Sequence, residues 1–126
     1  MAKTVLVGPD IEEGQKFLDL LKEEGFPVSA ALWQSNEFGD RWDIAIVTPL
    51  RKAIGLRETY RRLRDILEQS SNRPDVNLLN VSIFSPDHGF SKGLRRHLRR
   101  VKDYHVTGQP LGGEYFISNG WVYFVK

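Results

Sequence analysis

Residues 42–48 read Trp-Asp-Ile-Ala-Ile-Val-Thr, and Pro49 follows directly. Side chains along a β-strand point alternately to its two faces, so the two isoleucines lie on one face and Ala45 and Val47 on the other. Both faces are apolar, and Asp43 at the rim carries the only charge. A strand that is apolar on both faces is covered on both faces. The segment therefore predicts a strand in the interior of a sheet, and Pro49 ends it.

The segments around this strand predict the other strands of the same sheet. Residues 26–34 are also rich in β-branched and aromatic side chains, and the polar residues 35–41 separate the two runs, which predicts a β-hairpin. Asn119-Gly120 suits a type I′ turn and predicts a second hairpin. The remaining predicted strands and the two arms of the second hairpin are residues 4–7, 77–84, 114–118 and 121–125.

Three segments have helical spacing. The first helix begins at a capping box that starts with Asp10, and Gly25 ends it. The second covers Lys52–Ser70, and the third covers residues 88–102 with Asp87 as its N-cap. The predicted fold class is α/β (α+β), as one domain over residues 1–126. It has a mixed sheet of about five to seven strands, three helices and two hairpins, and its topology stays open.

Composition excludes several classes of protein. The 126 residues include no cysteine, which excludes disulfides, thiolate zinc sites and a cysteine nucleophile. No window has the roughly 18 apolar residues that a membrane-spanning helix needs, and the amino terminus is not a signal peptide. We therefore expect a cytoplasmic protein that binds no membrane. No motif predicts a cofactor, a metal or a catalytic residue.

Positive charge is concentrated in one run of the chain. Residues 1–50 carry 4 Lys/Arg and 9 Asp/Glu, a net of −5, and residues 51–126 carry 14 and 7, a net of +7. On a helical wheel the run's basic residues occupy one face, and no carboxylate lies among them. They are Lys92, Arg95, Arg96, Arg99, Arg100 and Lys102.

This basic face predicts an anionic partner. The candidates are nucleic acid and an acidic protein surface, including a second copy of this chain in a homo-oligomer. The alternative is a plain solvated face, which every amphipathic helix needs. Helix two is also rich in arginine. Its spacing pairs Glu58 with Arg62, Arg61 with Asp65 and Arg64 with Glu68, so we expect that charge to be neutralised in place.

Several other residues have a structural and a functional interpretation. His97 falls on the apolar side of helix three, where we expect a packed, hydrogen-bonded histidine. The strand aromatics are typical of a core, and a stacking platform for bases is the alternative. They are Tyr115, Phe116, Trp121 and Tyr123.

Enzyme interpretations rest on two incomplete clusters. Ser85, Asp87 and His88 offer a nucleophile, an acid and a base within one turn, but a triad depends on spatial geometry. Glu37, Asp40 and Asp43 are acids near the first hairpin, but the Glu-x-Lys of a nuclease site does not follow them. The leading hypothesis is a non-enzymatic binding domain. The alternative is a nuclease-like or other hydrolase whose acidic site is assembled by the fold.

A further pattern consists of five segments, which are residues 25–33, 42–50, 55–60, 83–87 and the closing aromatic segment that ends in 121–123. Together these segments resemble a family of small prokaryotic proteins of unknown function. The resemblance implies a single small domain, and it carries over no functional residue. In the last hairpin this chain has one residue more than the family pattern, near Ser118-Asn119.

Overall fold

The computed structural model describes Leu6 and residues 8–35 and 41–126. Except for Leu6, the predicted strand at residues 4–7 lies outside the described residues. In the described part the helices are α1 (Gly8–Glu23), α2 (Leu50–Gln69) and α3 (Gly89–Leu98), with a 3-10 turn at Leu78–Asn80. The strands are β1 (Ala30–Ser35), β2 (Trp42–Val47), β3 (Val81–Phe84), β4 (Lys102–Gly112) and β5 (Tyr115–Val125).

The five strands form one mixed sheet in the order β3-β2-β1-β5-β4. The pairs β1–β2, β1–β5 and β4–β5 are antiparallel, and β2–β3 is parallel. The predicted fold class is therefore confirmed, with a single mixed sheet, three helices and two hairpins. The first predicted hairpin is β1–β2, and β2 lies inside the sheet as its apolar faces required.

The two faces of the sheet are covered by different helices. Helices α1 and α2 pack on one face, where Trp33, Ile44 and Ile46 form a core with Phe17 and Leu63. Helix α3 packs on the other face, where it covers a second core from the same strands, formed by Ala30, Leu32, Ala45, Val47 and Val122. The domain thus has three layers, with the sheet in the middle.

The second hairpin lies elsewhere than predicted. Asn119 and Gly120 are inside the long strand β5, and the turn is at Gly113-Glu114, between β4 and β5. Gly112 and Gly113 have φ of 91° and 59°, which suits them to this turn. Gly120 is required for a different reason, because a Cβ there would lie 2.8 Å from the carbonyl oxygen of Trp33. The prediction of a turn at Asn119-Gly120 was wrong.

A chain of buried hydrogen bonds joins α1 to the sheet. The indole Nε1 of Trp33 donates to the Tyr123 hydroxyl at 2.9 Å, and that hydroxyl donates to the carbonyl oxygen of Ile11 at 2.7 Å. Burial raises the pKa of Tyr123. Gly14 makes room for the ring, since a Cβ there would lie 2.1 Å from the hydroxyl oxygen. Three elements, α1, β1 and β5, are therefore held by one tyrosine.

A bulge in β5 turns Tyr123 toward α1. Ala31 pairs with Phe124 and the next residue of β1, Leu32, pairs with Val122, so Tyr123 is the extra residue. Beyond the bulge, the side chains of β5 alternate between the two faces of the sheet with a shift of one residue. Phe124 consequently lies on the face covered by α1 and α2, whereas Val122 lies on the face covered by α3.

Helix α2 covers the β3 edge of the sheet. Its predicted range was residues 52–70, close to what is observed, although Gly55 departs from helical geometry at φ 86°. The Tyr60 hydroxyl donates to the Val81 carbonyl, and the Arg51 Nε donates to the Ile83 carbonyl at 3.0 Å. Two carbonyl groups of the short edge strand are thereby occupied, which discourages pairing with another chain.

Tyr123→Phe removes the hydroxyl and leaves the buried indole N–H of Trp33 without this acceptor. We expect the free energy of unfolding to fall by about 1–3 kcal/mol, the usual cost of a buried unsatisfied donor. Urea unfolding followed by tryptophan fluorescence measures it. Tyr104→Phe is the control, because Tyr104 is 59% exposed. Equal stability of the two variants would contradict this role for the hydroxyl.

Candidate anion-binding surface

Helix α3 begins one residue later than the sequence predicted. Its N-cap is His88, whose Nδ1 accepts from the backbone N–H of Phe90 at 3.1 Å. Asp87, the predicted N-cap, instead accepts from the Ser85 hydroxyl at 2.5 Å and from the Lys52 Nζ at 2.8 Å. These two donors lower the pKa of Asp87 to about 2. The carboxylate is thus engaged by side chains from outside the helix.

One side of α3 packs closely on the sheet. Phe90, Leu94 and Leu98 are spaced four residues apart and are buried in the second core. Gly93 lies against β4, because a Cβ there would be 2.4 Å from the carbonyl oxygen of Leu111. Gly89 allows a similar approach by the Tyr115 ring, at 2.5 Å. These contacts fix which side of the helix faces solvent.

Three cations on the exposed side of α3 and the C-cap residue Arg99 form one row, which we call the α3 stripe. Lys92, Arg95, Arg96 and Arg99 follow one another at i, i+3, i+4 and i+7, and all four are exposed. At 1.5 Å per residue the row is about 10 Å long. Within the described part of the chain, no carboxylate forms an ion pair with any of them.

The other two predicted residues do not belong to this face. Helix α3 ends at Leu98, so the predicted extension to residue 102 was wrong. Arg100 has φ 68°, and its N–H donates to the Val125 carbonyl at 2.8 Å. Lys102 is the first residue of β4 and pairs with Phe124, on the opposite face of the sheet from α3. Hydrogen bonding to the end of β5 has replaced another turn of helix.

His97 is exposed, so the prediction of a packed histidine was wrong. Its Nε2 is 3.8 Å from where a Cβ of Gly112 would lie, and the Arg96 guanidinium is equally close. The ring therefore lies above a glycine turn, which has no side chain to cover it.

Arginines on α2 differ from those of the α3 stripe in having acids nearby. Arg61 pairs with Glu58 at 3.5 Å and Arg64 approaches Asp65 at 4.0 Å. Neither is one of the i,i+4 pairs that the spacing suggested, so that pairing was wrong, although acids do lie beside two of the four arginines. Helix α2 therefore provides a control surface of similar composition.

The strand aromatics are largely structural, as expected. Tyr123 is buried, and Trp121 packs against the first core. Tyr115 packs against the second core and lies in edge contact with His88, at 5.5 Å between ring centroids. Phe116 is the exposed member, at 55%. One exposed ring does not make a stacking platform.

The cluster at Ser85, Asp87 and His88 does not have the geometry of a triad. The Ser85 hydroxyl donates to Asp87, and the same carboxylate is bound by Lys52. The Nδ1 of His88 already accepts from the helix backbone. Serine and histidine are therefore each engaged elsewhere, and the nucleophile–base hydrogen bond of a triad is missing here.

Of the acids near the first hairpin, only Asp43 lies within the described residues. It is half-buried and lines a groove of about 350 Å³ together with Gln34, Phe84 and Glu114. Burial raises the pKa of Asp43, and Arg41 opposes that shift. In the described part of the chain no three His, Asp or Glu side chains are grouped so that they could hold a metal ion. Glu37 and Asp40 lie outside the described residues.

Sequence reasoning missed two cations that lie beside Lys102. Lys22, at the end of α1, and Lys126, after β5, line a groove with it. No local pattern connects residues 22, 102 and 126. One signal in the sequence was available, since Tyr104, Val106 and Thr107 are β-prone and predict strand β4. Once β4 pairs with β5, Lys102 lies beside Phe124 in this groove.

Comparison of the chain with protein-family models, with curated proteins and with solved structures found no match in any of the three. The resemblance of the five motif segments to small prokaryotic proteins therefore stays a prediction. Among the described residues, no helix is long and apolar enough to cross a membrane. The geometry of the site alone supports the functional argument.

Gly93→Ala tests how closely α3 approaches the sheet. Alanine has the higher helix propensity, by about 1 kcal/mol, so a free helix would gain stability. Here the added Cβ would clash with the Leu111 carbonyl, and we expect the free energy of unfolding to fall by about 1–3 kcal/mol. Chemical denaturation measures the change, with Lys92→Ala on the exposed side as the control. A stabilised Gly93→Ala variant would show that the contact is not close.

Asp43→Asn tests the effect of the half-buried carboxylate. Because burial raises its pKa above the ordinary 3.8, the folded chain holds this proton more tightly than the unfolded chain. Its contribution to stability is therefore largest below pH 3.8, and it is lost as pH rises through the raised pKa. We expect the variant to melt at a higher temperature than the parent at neutral pH and to lose that advantage in acid.

Thermal unfolding at about pH 7 and about pH 3 measures the difference. Glu68→Gln, at an exposed position on α2, is the control for removal of one carboxylate. A gain of the same size at both pH values would contradict the assignment to ionisation of Asp43.

Proposed function

We propose that this chain is a non-enzymatic, intracellular binding domain whose α3 stripe contacts an anionic partner, with nucleic-acid phosphates as the ligand. One observation carries the proposal. Four cations occupy one exposed row along α3 and its C-cap, and no described carboxylate pairs with them.

Repulsion between the cations of the row lowers the stability of the helix, and a surface of mixed charges would avoid this. Like charges at i,i+4 on a helix repel one another, and Lys92–Arg96 and Arg95–Arg99 both have this spacing. Arg95 and Arg96 recover part of the cost, because they lie in the last turn, where cations interact favourably with the helix dipole. Lys92 lies in the first turn, where a cation is unfavourable. Contact with an anion would remove the repulsion.

The regular spacing of the stripe favours phosphates over a carboxylate surface. Three of its four residues are arginine, whose planar guanidinium donates two parallel hydrogen bonds to one phosphate or one carboxylate. Phosphates repeat regularly along a nucleic acid, so a row about 10 Å long meets more than one of them. An acidic protein surface carries its charge less regularly, and it is the competing outcome of the test.

Lys92, Arg95, Arg96 and Arg99 are replaced together by glutamine, which removes four charges without adding repulsion. Binding to fluorescent mixed-sequence DNA and RNA is followed by anisotropy at about 0.05–0.3 M salt. For the parent chain we expect log K to fall with log salt at a slope of about −3, since each contacted phosphate contributes about −0.7 to −0.9. The variant loses most of the affinity and most of that slope.

The matched control carries the same change of four charges on α2, with Arg57, Arg61, Arg62 and Arg64 replaced by glutamine. It keeps binding if the α3 stripe is the contact surface. Equal loss in both variants would show that only net charge matters, and no binding at low salt would overturn the nucleic-acid ligand. Equally tight binding to polyglutamate would favour an acidic protein partner instead.

A second copy of the chain is another candidate for the anionic partner, because the acidic first half of one copy would attract the basic second half of the other. Sedimentation at low and high salt, before the titrations, tests it. A mass that doubles only at low salt would support a homo-oligomer, and a constant monomer mass would exclude it.

A further inference from the structure

A second basic region lies on the opposite face of the sheet from α3. A groove of about 550 Å³ runs between the last turns of α1 and the ends of β4 and β5. Lys22, Lys102 and Lys126 line it and are all exposed. Asp19 is the carboxylate in the groove, and it accepts from the Gln15 amide at 3.0 Å. Positive charge therefore prevails, and we call this the lysine groove.

The lysine groove has an aromatic floor. The half-buried Phe124 ring lines it, and the Lys126 Nζ lies 5.7 Å from the centre of that ring. Leu18, Phe26 and Val28 add apolar surface beside it. A groove with lysines at its rim and apolar surface below suits a ligand that alternates phosphates with bases, although the Lys126 ammonium already lies over the Phe124 ring.

The α3 stripe and the lysine groove are joined by the residues between them. After Leu98 the chain leaves α3, and Arg100 donates to the carbonyl of Val125 while Val101 accepts from the same residue's N–H. Arg99 and Arg100 are exposed at this end of the sheet. Lys102 and Lys126 follow directly on the far side. The cations thus form one band that passes round the end of the sheet.

The shape of this basic band restricts the ligand. Its two halves face opposite sides of a domain in which helix and sheet layers lie about 10 Å apart. Duplex DNA has a persistence length of about 150 base pairs, and a bend of about 40–90° over about 20–30 base pairs already costs about 1–6 kcal/mol, so it is costly for a duplex to follow such an end. A single strand is flexible enough to follow it. We propose that the ligand is a single-stranded nucleic acid that runs along the α3 stripe, passes Arg99 and Arg100, and enters the lysine groove.

This inference rests on the proposed function and specifies its ligand. It predicts that contacts in the lysine groove are made only by strands long enough to pass the end of the sheet. Single-strand-binding folds contact about 4–16 nucleotides, which sets the range of lengths to compare. The α3 stripe alone accounts for the binding of shorter strands and of duplexes.

The test replaces Lys22, Lys102 and Lys126 together by glutamine in the full chain. Binding is measured by anisotropy for mixed-sequence single strands of about 5 and about 20 nucleotides and for a duplex of about 20 base pairs. The long single strand should lose about tenfold or more in affinity, and the short strand and the duplex should change little. The matched control replaces Arg57, Arg61 and Arg62 on α2 by glutamine, and it should leave all three ligands unaffected.

Each other outcome has a definite meaning. If the α3 stripe variant loses binding and the lysine-groove variant does not, the proposed function stands and the path round the sheet is wrong. If the lysine-groove variant weakens the duplex as much as the long strand, preference for single strands is wrong. If the parent chain binds none of the three ligands, the proposed function itself is wrong. Circular dichroism checks folding, and Lys102→Gln alone replaces the triple variant if it unfolds.

Discussion

The hydroxyl of Tyr123 joins the α1 layer to the sheet, and the rest of the first core depends on it. It accepts from Trp33 on β1 and donates to the backbone of α1, so one buried group settles the position of the helix over the sheet. Its place in a bulge has a second effect, because the bulge moves Phe124 to the α1 face. Core packing at the centre and the floor of the lysine groove are therefore consequences of the same extra residue.

The opposite face depends on small residues. Gly89 and Gly93 let α3 approach the β4–β5 hairpin until no Cβ would fit, and the apolar row of Phe90, Leu94 and Leu98 completes the contact. With that side fixed, the remaining positions of a ten-residue helix have no sheet to pack on. Lys92, Arg95 and Arg96 are exposed for this reason, and their common face follows from the helical repeat. Arg99, the C-cap, continues their row.

The periodicity of the sequence correctly predicted the elements that depend on local pattern. It failed at the elements whose ends are determined by backbone contacts with distant residues. The two-sided apolar pattern of residues 42–48 correctly placed β2 inside the sheet, and the same reasoning found the three helices. The helix-like row of charges from residue 92 to 102 did not reveal that Arg100 would bond to Val125. Asn119-Gly120 has turn chemistry, but the close approach of the Trp33 carbonyl explains its glycine. Both errors come from backbone contacts that β5 makes with residues distant in sequence, at Val125 with Arg100 and at Gly120 with Trp33.

Because α3 ends at Leu98, the six basic residues of the run lie on different surfaces of the domain. On a longer helix, six cations would have formed one straight row facing one side, a shape that suits a rigid partner. Pairing of β4 with β5 instead divides them, leaving three on α3, Arg99 at its C-cap, Arg100 at the end of the sheet and Lys102 on the far face beside Lys22 and Lys126. Charges divided between two faces attract any anion at long range, but only a flexible one contacts them all. The backbone hydrogen bonds at Arg100 and Val125 thus connect the topology of the sheet to the physical nature of the ligand we propose.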